Sequence, residues 1–179
     1  LEMLEMLEGY QGQVVMVSHS RDELYRFSEE LFVLSDGHII RQGGTEDVFR
    51  APGCIEAARL TGCKNFSAAR AADRHSVEAA DWGITLRLER EVPESVKYVG
   101  YRAHFFEPVW GERQQNCIRF DLARVDDLPF EKNYYIRPEG DPDGEPVCWF
   151  VQGEEQKVID RKGLPDYLRM TEENILFLE

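Results

Sequence analysis

The sequence runs to 179 residues, 42% of them hydrophobic, which suffices for one domain of ordinary size, or a small domain plus a piece of another, around a buried core. Its formal net charge of −13, from 34 acidic and 21 basic side chains, repels polyphosphate backbones and excludes a nucleic-acid partner, since the one basic cluster, Arg70 to His75, is broken by Asp73. The four cysteines (Cys54, Cys63, Cys117 and Cys148) form no C-x-x-C pair and the four histidines complete no zinc spacing, so reduced thiols and no metal site are expected.

Residues 1–10 read as a helix tail ending at Gly9, with apolar residues at 1, 3, 4 and 7 and no capping residue ahead of them, as expected of a piece cut from a longer protein. Val14 to Ser18 reads as a short apolar strand of the kind buried on both faces of a parallel sheet. Asp22 to Glu30 is expected to be a helix, with Leu24, Phe27 and Leu31 on one stripe. Leu31 to Leu34, the turn Ser35-Asp36-Gly37 and His38 to Gln42 make a β-hairpin. Thr45 suits the N-cap of a helix through Phe49, and a further helix from Cys54 to Leu60 stops at Gly62.

From residue 63 the texture changes to β structure. Strands are expected over Phe66–Ala71, Ile84–Leu88, Val96–Ala103, Asn116–Val125, Tyr134–Arg137, Val147–Val151 and Asn174–Leu178. Asp81-Trp82-Gly83 and the run 138–144 are turns between them. Short strands at such spacing argue for a small barrel or sandwich. No apolar run approaches the ~20 residues of a membrane span, and neither a signal peptide nor membrane insertion is expected.

The sharpest chemical feature is Val14-Val15-Met16-Val17-Ser18-His19. A buried strand ending this way sets an imidazole at the carboxyl edge of a sheet, where open α/β folds bind ligands. There His19 can donate to a phosphate oxygen or orient a water, although a histidine at a strand end is more often an ordinary surface or capping residue. The segment resembles the switch region of ABC ATPases, an apolar strand ending in Ser/Thr-His with an acidic residue four positions after the histidine, here Glu23. The resemblance continues in register through the hairpin Phe32 to Gln42 and through Gly44-Thr45-Glu46-Asp47-Val48-Phe49-Arg50-Ala51-Pro52, which is similar to that family's G-T-x-x-x-(V/L)-(F/Y)-x-x-P helix. It departs at Ser20, where the family commonly has Asp.

Farther on, Ala57-Ala58-Arg59-Leu60-Thr61-Gly62-Cys63-Lys64-Asn65 resembles the junction into the C-terminal regulatory domain of importer ATPases. Tyr98-Val99-Gly100-Tyr101-Arg102-Ala103-His104 looks like the V-G-(I/V)-R-A-H strand of molybdate/sulfate-type subunits, and the stretch Pro165 to Leu178 fits how such domains finish. The fold class implied is an α/β fragment, residues 1–62, that ends a P-loop nucleotide-binding domain. A mainly-β, OB-like barrel of TOBE/MOP type, residues 63–179, follows and would regulate or dimerise. In that family the histidine contacts the γ-phosphate of ATP, a role that His19 inherits in the intact subunit.

ATP and Mg²⁺ are therefore implied for the parent. None is expected for this stretch, which holds no G-x-x-x-x-G-K-[ST], no apolar strand ending in Asp-Glu before His19 and no signature motif, and should not hydrolyse ATP alone. The implied partners are a permease subunit, a second copy of the chain and a small oxyanion such as molybdate or sulfate. The implied location is cytoplasmic, peripheral at the inner face of the cell membrane. The alternative is a free-standing anion-sensing or homodimerisation module without ATPase activity. Strand alternation would set Arg102 and His104 on one face, able to hold an oxyanion by charge-assisted hydrogen bonds; the other reading pairs Arg102 with a nearby acid and has His104 cap the strand. Ser18-His19 as a hydrolase pair lacks a nucleophile elbow and a third member.

Overall fold

The computed structural model describes residues 10–129, 131–139 and 143–179. The helix expected over 1–10 lies outside them except for Tyr10, as does the middle of the turn at 138–144.

The first part of the chain is built from local signals. Helix α1 spans Arg21–Phe27, strand β1 Glu30–Ser35, strand β2 His38–Gly44, helix α2 Thr45–Arg50 and helix α3 Ile55–Leu60. The β1–β2 hairpin closes through Asp36 and Gly37 at φ of 49° and 79°, the left-handed pair that a two-residue turn requires. Leu31 and Val33 alternate onto one face of the hairpin and pack with Val48 of α2 and Ala57 of α3. Gly44, not Thr45, occupies the N-cap position of α2, without a side-chain cap; the Thr45 hydroxyl instead donates to the Ser28 carbonyl at 2.7 Å, tying α2 to the end of α1.

Helix α3 ends in a Schellman motif. Cys63 N–H donates to Ala58 O at 2.8 Å and Gly62 N–H to Arg59 O at 3.0 Å, with Gly62 at φ +93°.

One expectation is overturned here. Residues 14–18 form no strand, and Val15 and Val17 are each 91% exposed. A short apolar strand is held by neighbours on both sides, and among the described residues nothing pairs with it. The described residues likewise contain no parallel strand pair; the only sheet before residue 63 is the antiparallel hairpin.

The remainder is mostly β. In chain order come β3 (Asn65–Asp73), β4 (Ser76–Ala79), β5 (Ile84–Arg87), β6 (Tyr98–Tyr101), β7 (Glu107–Val109), β8 (Cys117–Asp127), β9 (Glu131–Pro138), β10 (Val147–Gln152), helix α4 (Gly153–Lys162), β11 (Tyr167–Arg169) and β12 (Ile175–Leu178). All pairings are antiparallel, in two five-stranded sheets ordered β12-β6-β3-β4-β5 and β10-β9-β8-β11-β7. The inward residues of both sheets, among them Leu86, Val99, Tyr101, Ile136, Trp149 and Leu168, form one contiguous core.

The sheets meet at a corner. Asn65 Nδ2 donates to Cys148 O at 2.8 Å and Cys148 N–H to Asn65 Oδ1 at 2.7 Å, so a buried side chain acts as a ladder rung between β3 and β10. Phe150 N–H donates to Ala103 O at 2.9 Å beside it.

Every expected strand after residue 63 recurs, with shifted ends. Strands β4, β7 and β11 and helix α4 were not anticipated: three are four residues or shorter, and α4 carries one buried residue, Ile159, too few to show a helical stripe. Strand β6 stops at Tyr101, short of the expected Ala103, because the chain turns there with Phe105 N–H donating to Arg102 O at 3.1 Å. Gly100 in β6 is a close-approach glycine. A Cβ on it would stand 3.2 Å from both Cys63 Sγ and Leu178 Cδ1, where the end of α3 lies against β6 and β12.

Candidate functional site

His19 stands just ahead of α1, and its setting is fixed by a small polar network. Ser20 is the N-cap: its carbonyl accepts from Leu24 N–H at 3.0 Å and its hydroxyl from Glu23 N–H at 3.4 Å. The Glu23 carboxylate reaches back to accept from the Ser18 hydroxyl at 2.8 Å, and the Ser18 oxygen accepts from Ser20 N–H at 3.0 Å. This is the logic of a capping box shifted by two residues, and it gives the acidic residue four positions after His19 a physical task. The imidazole makes no bond within this network and is exposed. The arrangement thus holds the backbone on both sides of His19 and leaves the ring able to meet a ligand.

Arg102 is placed differently from the expectation. It lies beyond the end of β6, so strand alternation does not set it beside His104. Its guanidinium donates to the Thr61 carbonyl, to Phe49 O at 2.6 Å and to Thr61 Oγ1 at 3.2 Å. These oxygens lie at the C-terminal ends of α2 and α3, where free carbonyls concentrate negative potential. Arg102 therefore binds two helix ends to the β-sheet that carries it. His104 is exposed and lies against Phe105, ring centroids 4.2 Å apart.

Arg21, unremarked in the sequence, joins this neighbourhood. Its guanidinium lies against Gly62, where a Cβ would collide with it. Burial lowers the pKa of Arg102, opposed by Cys63 and reinforced by Arg21; burial also lowers that of His104, reinforced by the positive charges of Arg102 and Arg21. The nearby Cys63 thiol is pushed up to about 11, mainly by burial, and so stays protonated and unreactive at neutral pH. The signal for Arg21 was present in its position directly after the cap, but its neighbour Gly62 lies 41 residues on, beyond local pattern. Among the described residues no cluster of His, Cys, Asp and Glu could hold a metal ion, and no helix is long and apolar enough to cross a membrane.

The sequence is similar in part to ATP-binding proteins of transporters. It is 32% identical over 113 residues to the molybdenum import ATP-binding protein ModC of Shewanella oneidensis, covering 59% of this chain and 31% of that protein. It is 39% identical over 61 residues to a putative ABC transporter ATP-binding protein of Geobacter sulfurreducens, covering 34% and 22%. A third relative is the energy-coupling factor transporter ATP-binding protein EcfA2 of Lactobacillus gasseri, 22% identical over 103 residues, covering 55% and 36%. The relatives of this chain are ABC transporter ATP-binding proteins. The chain spans between about a fifth and about a third of their length. No family model matches it.

Proposed function

We propose that this chain is the C-terminal part of the ATP-hydrolysing subunit of an ABC importer. Residues 1–62 end its nucleotide-binding domain, and residues 63–179 form an OB-like regulatory or dimerising domain of TOBE/MOP type. The observation that carries the reading is the pairing of an exposed histidine, braced by Ser18, Ser20 and Glu23, with an apolar segment directly before it whose Val14, Val15 and Val17 stand exposed. Such a segment suits a strand whose sheet is completed by other residues, and such a histidine suits a contact to a phosphate held by them.

In the intact subunit His19 donates to a terminal phosphate oxygen of ATP. The rest of that subunit supplies the phosphate-cradling loop and the carboxylates for Mg²⁺ and water. The subunit docks on a permease at the inner face of the membrane and serves import of an oxyanion such as molybdate or sulfate. The coding sequence upstream of Leu1 tests this reading: a phosphate loop and a signature motif are expected within about 200 residues. Their absence would overturn it.

One observation favours a second reading, an anion-sensing module. Arg21, Arg102 and His104 gather basic groups at the junction of a strongly acidic chain, Arg21 raising the cost of charging Arg102, and both arginines that of charging His104. Calorimetry with molybdate, tungstate and sulfate on the chain distinguishes the two. Binding heat that disappears with Arg21→Ala supports the sensor, and no heat with any of the three removes it.

A further inference from the structure

Helix α4 lies across the sheet formed by β9 and β10, and its seat is unusually polar for so buried a place. Trp149 of β10 has no exposed surface, yet its Nε1 closes no hydrogen bond of ordinary geometry. On the helix side, Glu155 Oε1 and Gln156 Oε1 are buried acceptors without partners. The other end of the Gln156 amide is engaged, donating to Asp160 Oδ1 at 2.7 Å and to Tyr134 Oη at 3.4 Å. The Tyr134 ring packs against Trp149 with centroids 4.9 Å apart. Two unpaired acceptors and a single indole donor leave this seat short of protons, and a neutral carboxylic acid supplies one where a carboxylate cannot.

The helix is also bounded by glycines and shallowly anchored. It starts at Gly153, φ +58°, and ends at Gly163, φ +82°, and Ile159 is its one buried residue. Glycines at both ends relieve the left-handed backbone that any other residue would resist.

We propose that α4 is a proton-operated latch: it closes on Trp149 and Tyr134 when Glu155 is neutral and swings open about Gly153 and Gly163 when Glu155 ionises. Burial pushes the Glu155 carboxyl up to about 7, and the Trp149 N–H offsets only part of that. Released into solvent, the group returns to the ordinary carboxylate range. The sign follows: a carboxyl raised in the closed state favours closure in acid, and that preference is lost as pH climbs through about 7.

The other charged groups around the seat are engaged with one another. From β9 the residues sharing the face of Trp149 are Lys132, Tyr134 and the apolar Ile136, and Lys132 is held by Asp160 at 3.5 Å and Asp127 at 3.7 Å. From β10 the neighbours on that face, Val147 and Val151, are apolar. On α4 itself Glu154 pairs with Lys157 at 2.5 Å, and Asp160 is the partner of Lys132.

Amide hydrogen exchange on the full chain at acid and alkaline sides of neutrality, corrected for the intrinsic rate, tests the latch. Between pH 6 and pH 8 the opening of α4 is expected to increase about tenfold while β9 and β10 stay protected. Glu155→Gln, which keeps the shape without the charge, is expected to remove the step. A wild-type α4 with no pH step overturns the proposal. So does an unchanged step in Glu155→Gln, or a step shared equally by β9 and β10, which would be domain unfolding. Should Glu155→Gln fail to fold, the Glu155 carboxyl is followed by NMR in the wild type: a midpoint near 7 supports the latch, and one in the ordinary carboxylate range overturns it.

Discussion

The two parts of this chain are stabilised in different ways. From Asn65 onward a contiguous core of residues from two sheets holds the fold, with Trp149, Tyr101, Leu86 and Ile136 fully buried. Before Gly62 the elements are just as well specified locally, by a cap, a two-residue turn and a Schellman motif, yet the core under them consists of Leu31, Val33, Val48 and Ala57. Phe32, Leu34 and Ile39 stand exposed on the other face of the hairpin, and Val14, Val15 and Val17 are exposed ahead of α1. Local signals are enough to shape a segment; they are not enough to bury it. The joint between the parts is correspondingly specific, made by Arg102 on two helix ends and by Cys63 against Gly100.

Three substitutions sharpen that contrast. Trp149→Ala removes the largest fully buried side chain and is expected to destabilise the β-rich part by about 3–5 kcal/mol. Chemical denaturation followed by far-UV circular dichroism measures it; a loss under about 1 kcal/mol would mean that the shared core is not what holds the sheets. Asn65→Ala strands the Cys148 N–H and C=O at the corner between the sheets, with an expected loss of about 2–3 kcal/mol in the same experiment. Ser20→Ala should matter least, about 1 kcal/mol and confined to α1. Exchange of the α1 amides reads it, and an equal effect on β9 would contradict the separation of the two parts.

Sequence and structure agree wherever the information is local. The Asp36-Gly37 turn, the Gly62 stop and the β3, β8, β9 and β10 strands were all legible from neighbouring residues. What failed depends on distant partners. The apolar run at Val14 looks like a buried strand because its composition is that of one, but burial requires neighbours that composition does not supply. Thr45 has the chemistry of a cap, and a carbonyl from another helix claims its hydroxyl first. Helix α4 escaped notice because a single buried position leaves no period to read. At the candidate site, His19 and its cap could be read directly, whereas the meeting of Arg21, Thr61 and Arg102 is a product of the fold.

The central claim, that His19 is a phosphate-contacting residue of an ATP-binding subunit, is tested most directly by ATP turnover and nucleotide affinity of the intact subunit carrying His19→Ala. The account predicts turnover reduced at least about a hundredfold, as for loss of a group that stabilises transition-state charge, with nucleotide affinity changed by less than about threefold. Turnover equal to that of the wild type would contradict it.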